Sequence, residues 1–169
     1  MSRENPLWGA SRIHGELVMF GCKVPWKTFL RNHADAIVAI DMCVVPMLTF
    51  DCLFAFLVLR HGRRQLLWCE VTRYPTAQWL ARQITEAFPW RLAPAHLVSD
   101  NDRAYGHIFR RRVKAMGIRD RPISPRSPWQ NGHMERLIGT VRREYLDSML
   151  ICGEVRLRQI LSLYATYYN

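Results

Sequence analysis

The sequence predicts an α/β domain: a five-stranded mixed sheet, an antiparallel meander joined to parallel strands, flanked by helices. Three observations predict it. Between residues 36 and 71, three apolar runs of strand length follow one another across short turns, the pattern of a meander. Beyond residue 76, helical periodicity alternates with short apolar strands, the order of parallel crossover units. The hydrophobic fraction, 49% of 169 residues, suits one ordinary globular domain and excludes a disordered chain.

The elements follow in order. Ile13, Leu17 and Phe20 fall on one helical face that ends at Gly21, and Arg31-Asn32-His33-Ala34-Asp35 forms a polar connection. Ala36 to Ile40 is a continuous apolar run closed by Asp41, which predicts a central strand buried on both faces. Residues 52–60 make a second strand, His61-Gly62-Arg63-Arg64 a turn, and residues 65–71 a third strand. Thr76 is an N-cap for a helix through Phe88, with Trp79, Leu80, Ile84 and Ala87 at helical spacing. Residues 96–99 form a fourth strand, ended by Asp100; a helix over about 105–116 stops at Gly117, and a fifth strand spans 118–122. Ser127-Pro128 reads as N-cap and first residue of a long helix reaching Ser148, and a last helix runs from Glu154 to Tyr168.

Charge points to a partner. Lys and Arg total 24 against 14 Asp and Glu, a net +10. A chain this basic suits a polyanion, because each neutralised phosphate releases a condensed counterion; a solvated surface is the alternative. The clusters Arg110-Arg111-Arg112 and Arg142-Arg143 could track phosphates or face water. The five cysteines are odd in number and form no C-x-x-C pair. That excludes a complete disulfide framework, argues against a paired-cysteine zinc site, and fits a reducing cytoplasm. Pro46, Thr49 and Asp51 interrupt the apolar region from Met42 to Leu59, so it reads as two strands and no membrane partner is expected.

Three carboxylates stand out. Asp41 closes five apolar residues, Asp100 sits at the end of the next apolar strand, and Glu135 lies early in the long helix. A buried carboxylate is normally paired, protonated or bound to metal. Strand ends of an open α/β sheet are where ligand crevices form. Taken singly, Asp100 could be a turn residue and Glu135 an exposed helical charge. Together, two adjacent strand ends and one helix can aim three hard oxygen donors of the kind Mg²⁺ prefers at one point. No spacing such as H-x-x-x-H links His61, His96, His107 and His133, so none is a candidate ligand. Trp68, Trp79 and Trp90 read as core.

The segments Ile40-Asp41, Ser99-Asp100-Asn101-Asp102-Arg103-Ala104-Tyr105-Gly106 and Ser124-Pro125-Arg126-Ser127-Pro128-Trp129-Gln130-Asn131-Gly132-His133-Met134-Glu135-Arg136 resemble the core motifs of insertion-sequence transposases and retroviral integrases. Thirty-four residues separate Asp100 from Glu135, close to the spacing of the D,D-35-E signature. The resemblance covers roughly residues 34–169. It implies a ribonuclease H-like fold and a DDE polynucleotidyl transferase. Such an enzyme hydrolyses DNA at element ends and joins strands through the freed 3′-hydroxyl, using two Mg²⁺ or Mn²⁺ ions. Asp41, Asp100 and Glu135 would be both catalytic residues and metal ligands, with Asp102 capping the turn. Arg142, seven residues after Glu135 on nearly the same helical face, would clamp a phosphate. Asn131, Gly132, Arg136 and Arg143 would also meet DNA.

The partners implied are DNA, at element ends and target, and further copies of the chain in an active homo-oligomer. The location implied is cytoplasmic, on the nucleoid if the source is bacterial. Residues 1–33 read as the remnant of an N-terminal helical DNA-binding region and linker. The recognition segment expected next has no counterpart between Phe20 and Trp26, and the core over 34–169 looks C-terminally short. The competing expectation is an inactive, truncated transposase that binds DNA or a full-length transposase without catalysis.

Overall fold

The computed structural model describes residues 34–89, 93–100, 102–123 and 131–169, and Asp35–Asn169 group as one unit. The segments expected within 1–33, Trp90 and the Ser127-Pro128 helix start lie outside the described residues. The sheet comprises β1 (Ile37–Pro46), β2 (Cys52–Arg60), β3 (Leu66–Thr72), β4 (His96–Ser99) and β5 (Arg119–Pro122), in the order β3-β2-β1-β4-β5. β1, β2 and β3 pair antiparallel, while β4 is parallel to both β1 and β5. The expected meander and parallel strands are both present.

One boundary differs. β1 continues past Asp41 as far as Pro46, paired to β2 from Val38↔Arg60 through Pro46↔Cys52. The ladder satisfies the backbone polar groups on either side of the acid, so one carboxylate does not stop the strand. Proline, which has no N–H to donate, marks its end. Asp41 therefore lies inside a strand and not at its end.

Strand alternation divides the core in two. Ala39, Cys43 and Val45 of β1 and Leu53, Ala55, Leu57 and Leu59 of β2 face one side. There they pack against α3 (Gly132–Val141) and α4 (Glu154–Tyr168), through Met134, Leu137, Val141, Leu157, Ile160, Leu161 and Tyr164. Val38 and Ile40, with Phe56 and Val58, face the other side, against α1 (Ala77–Ala87) and α2 (His107–Ala115). Full burial of each such side chain is worth roughly 1.5–3 kcal/mol.

The helix signals hold where the residues are described. Thr76 accepts a hydrogen bond from the Trp79 N–H at 3.2 Å and starts α1. Gly117, at φ +75°, closes α2 with Ile118 N–H donating to Val113 O, a left-handed stop that favours glycine. α2 begins two residues later than expected, because the Tyr105 N–H is used in a turn to Asp102 O. Trp68 and Trp79 are half-buried beside the second core, Trp68 donating to Gln83 and Trp79 meeting Phe56 edge-on. The long helix expected to reach Ser148 is broken in type: α3 passes into a π turn over Arg142–Leu146, closed by Asp147 N–H to Arg142 O at 2.8 Å. Among the described residues no helix is long and apolar enough to cross a membrane.

Candidate active site

Sheet register brings the two aspartates together. β1 and β4 run parallel with Val38 level with Leu97 and Ala39 level with Val98. That pairing ends at Ala39 and Val98, two residues before Asp41 of β1 and two before Asp100, the residue that follows β4. By alternation Asp41 shares the face of Ala39 and Cys43, which carries α3, and Asp100 lies near enough for its charge to act on Asp41. α3 lies over this face through Met134, Leu137 and Val141, and its first turn presents Glu135.

The helix is tied to the strand beside the acid. Asn131, the residue before α3, is 4% exposed and its Nδ2 donates to Ile40 O at 3.2 Å. This bond joins the start of the Glu135 helix to the residue preceding Asp41. The other end of α3 is tied as well. Arg142 Nη2 donates to Val44 O at 2.9 Å, and its guanidinium bears on the Cys43 thiol. Glu135 is thus held on a helix fixed to β1 on both sides of Asp41.

The electrostatics follow from this placement. Burial pushes the Asp41 carboxyl up to about 7; the Met42 N–H opposes this, and the charges of Asp100, Glu135 and Asp102 add to it. Asp41 Oδ1 accepts that N–H at 2.7 Å. Burial also raises Asp100, whose Oδ1 accepts from the Asp102 N–H at 3.3 Å. Asp102 is exposed and its Oδ1 accepts the Ala104 N–H at 2.8 Å. It caps the turn, as expected, leaving Asp100 as the inward acid.

The three carboxylates share one face and act on one another, yet they do not share one coordination sphere. Among the described residues no three His, Cys, Asp or Glu side chains stand close enough to hold a single ion. Glu135 is exposed, and like charges with no cation between them repel. The donor chemistry nevertheless fits hard divalent ions. Asp41 resists ionisation chiefly because it is buried, and a bound cation would reverse that balance.

The other expected residues divide. Arg136 and Arg143 are exposed. Gly132 has no described atom within 4 Å of where a Cβ would lie, and positive φ is not what calls for glycine there. Asn131 is buried and turned to β1, so its side chain works inside the fold. Arg142 is bound to Val44 O and also engages Cys43, but the group is exposed and a guanidinium has five donors, more than these two partners use. His61 and His133 meet edge to face at 4.6 Å between ring centres. Burial, then His133 and Arg64, brings His61 down to about 4. Sequence reasoning missed two buried polar atoms by this site: Asn131 Oδ1 and the Tyr105 hydroxyl, neither with a hydrogen-bond partner. Only contact geometry could have found them.

Residues 116–169 match the family model described as integrase core domain, a span that includes Glu135 and Arg142 but not the two aspartates. No curated protein sequence matches the chain significantly. Solved structures share the fold. The catalytic domain of Mos1 mariner transposase aligns with a TM-score of 0.66 at 11% identity, over 89% of this chain and 76% of that one. A chain of the simian T-cell lymphotropic virus intasome in complex with PP2A regulatory subunit B56 gamma gives 0.62 at 13%, over 90% and 66%. The HTLV-2 integrase catalytic core domain in complex with magnesium gives 0.53 at 14%, over 64% and 68%. The fold is the ribonuclease H-like fold of integrase and transposase catalytic cores, as the motifs implied.

Proposed function

We propose that this chain is a DDE polynucleotidyl transferase, a transposase or integrase that cuts DNA at element ends and joins the cut strand to a target. The observation that carries the reading is that Asp41 on β1 feels the charges of Asp100, just past β4, and of Glu135, in the first turn of α3. The magnesium-bound HTLV-2 core, which shares the fold, supports the choice of ion.

Asp41, Asp100 and Glu135 would hold two divalent ions. Bound there, the ions supply the Lewis acidity that activates the attacking oxygen and stabilises the leaving one. The chain's own part is positional. β1 and β4 fix two donors rigidly, and α3, tied through Asn131 and Arg142, brings the third. In hydrolysis a water oxygen bonds to phosphorus while the P–O3′ bond breaks, and the departing 3′-oxygen takes a proton. In joining, that 3′-hydroxyl attacks a target phosphodiester and displaces its 3′-oxygen. Gly132, Arg136, Arg143 and the free donors of Arg142 lie along the helix above the carboxylates, where the DNA backbone would pass. One fold neighbour is a chain of a viral intasome and another, the HTLV-2 core, was solved in trimeric and dimeric forms, which supports further copies of this chain as partners, and the basic charge supports DNA.

The test is Mg²⁺-dependent nicking and strand transfer on element-end DNA, with each acid replaced in turn. Asp41→Asn, Asp100→Asn and Glu135→Gln should each abolish cleavage, while Asp102→Asn should retain most of it because it caps a turn. Loss with Asp102→Asn and survival with Asp100→Asn would refute the assignment. DNA binding with no cleavage under any divalent ion would place the chain among non-catalytic binders.

A further inference from the structure

Phe50 is 98% exposed, and its backbone lies in the left-handed region at φ +62°. Both are costly for a bulky aromatic residue: the ring stands in water, and its Cβ crowds the backbone at positive φ. Glycine or asparagine would occupy the same turn with less strain. The turn is nevertheless held firmly. Met47 N–H donates to Asp51 O at 2.8 Å and Phe50 N–H to Met47 O at 3.1 Å, which closes it between β1 and β2. Leu48 N–H donates to Ile151 O at 3.4 Å, and Arg73 pairs with Asp51 and with Glu154, each at 3.7 Å. Those contacts tie the turn to the start of α4. An unfavourable backbone fixed by its neighbours, carrying a ring that nothing in the chain covers, fits a residue that meets something outside the chain.

The position of the turn indicates its partner. β4 stops at Ser99, while β1 runs on past Asp41 to Pro46 with β2 paired at its side. The β1–β2 arm therefore carries Asp41 towards its base and Phe50 at its tip. Between them stands the exposed Arg142, bound to Val44 O at 2.9 Å, a cation suited to a phosphate. Val44 and Leu48 add exposed apolar surface to the same arm. A duplex answers both features, because its phosphates pair with the cation and its base steps admit an apolar side chain. A second copy of the chain, at net +10, offers the arm no matching excess of negative charge. We infer that the β1–β2 turn is a DNA wedge, Phe50 inserting against the bases of a duplex whose backbone Arg142 holds. The five residues from Asp41 to Pro46 span about 17 Å, and a duplex advances about 3.4 Å per base pair. The ring thus reaches a base step about five pairs from the phosphate at the carboxylates.

This inference rests on the proposed action on DNA, and a binding experiment without divalent ions separates the two. The full chain, Phe50→Ala, Phe50→Gly and Phe50→Tyr are titrated at one fixed salt concentration onto two short duplexes. One is fully matched; the other carries a central T·T mismatch with 2-aminopurine beside it. A mismatch is easier to unstack and admits a wedge more readily. The unaltered chain should bind the mismatched duplex roughly tenfold more tightly and raise the 2-aminopurine fluorescence as the base unstacks. Phe50→Ala and Phe50→Gly should lose both effects, and Phe50→Tyr should keep them. Phe50→Gly should also raise the melting temperature, because glycine relieves the left-handed backbone, so that its lost preference is not a lost fold. No mismatch preference in the unaltered chain, or one that Phe50→Ala retains, overturns the inference alone. So does a change of oligomeric state in Phe50→Ala with DNA binding unmoved, which would assign the ring to a second copy. If the unaltered chain binds neither duplex, the proposed function fails and the inference with it.

Discussion

At the scale of single residues, Asp41 combines strain and use. Its neighbours on β1 are buried hydrophobics, and its carboxyl is raised from 3.8 to about 7. Between those values the folded chain binds more protons than the unfolded one, so stability is fullest below about pH 4 and is lost as pH rises through 7. The shift corresponds to a penalty of about 2–4 kcal/mol above neutrality. Asp41→Asn should therefore stabilise the metal-free chain by about that much at pH 8, and by almost nothing near pH 4. Urea denaturation at both pH values checks it, and an equal effect at the two would remove the electrostatic explanation. Arg142 serves two purposes on this reading. Arg142→Ala should cost about 1 kcal/mol for the lost bond to Val44 O. It should also lower the slope of log K for DNA against log salt by about 0.9, one phosphate's worth. Filter binding across a salt series reads the second effect, and an unchanged slope would leave Arg142 only its bond to β1.

Among the elements, α3 decides whether the site exists, because it brings Glu135 over the strands from a distant part of the sequence. Its apolar face, Met134, Leu137 and Val141, is buried against the sheet. Its ties to β1 were not legible, since Asn131 meets Ile40 across 91 positions of sequence and Arg142 meets Val44 across 98. Neither was the π turn after Val141, where the chain leaves α-helical geometry just as Arg142 reaches β1. Asn131→Ala should destabilise the fold by about 1–3 kcal/mol through the lost buried bond. Asn131→Asp should be worse above neutral pH, because it sets another acid beside Asp41. Chemical denaturation of the two variants at pH 6 and 8 is the measurement, and equal stabilities at pH 8 would argue that Asn131 lies outside the field of the carboxylates.

For the molecule as a whole, the net +10 would supply the proposed DNA binding with affinity that does not depend on sequence. Base readout requires an element delivered into a groove, and the expectation from sequence is that no recognition segment stands between Phe20 and Trp26. The chain should therefore bind element-end and scrambled duplexes nearly alike at one fixed salt concentration, with a steep fall in affinity as salt rises. A strong preference for element ends, with efficient strand transfer, would show that this chain supplies its own specificity. The sequence by itself determined the element order, the mixed sheet and a central strand buried on both faces, and it singled out three acids as candidates. Those features are written in local periodicity, in capping residues and in the cost of burying charge. Only the tertiary structure decided that Asp41 sits inside a strand, that Asn131 and Arg142 hold α3 to β1, and that the Tyr105 hydroxyl is buried without a hydrogen-bond partner. Each of those depends on strand register or on contacts between residues far apart in the chain, which local pattern does not encode.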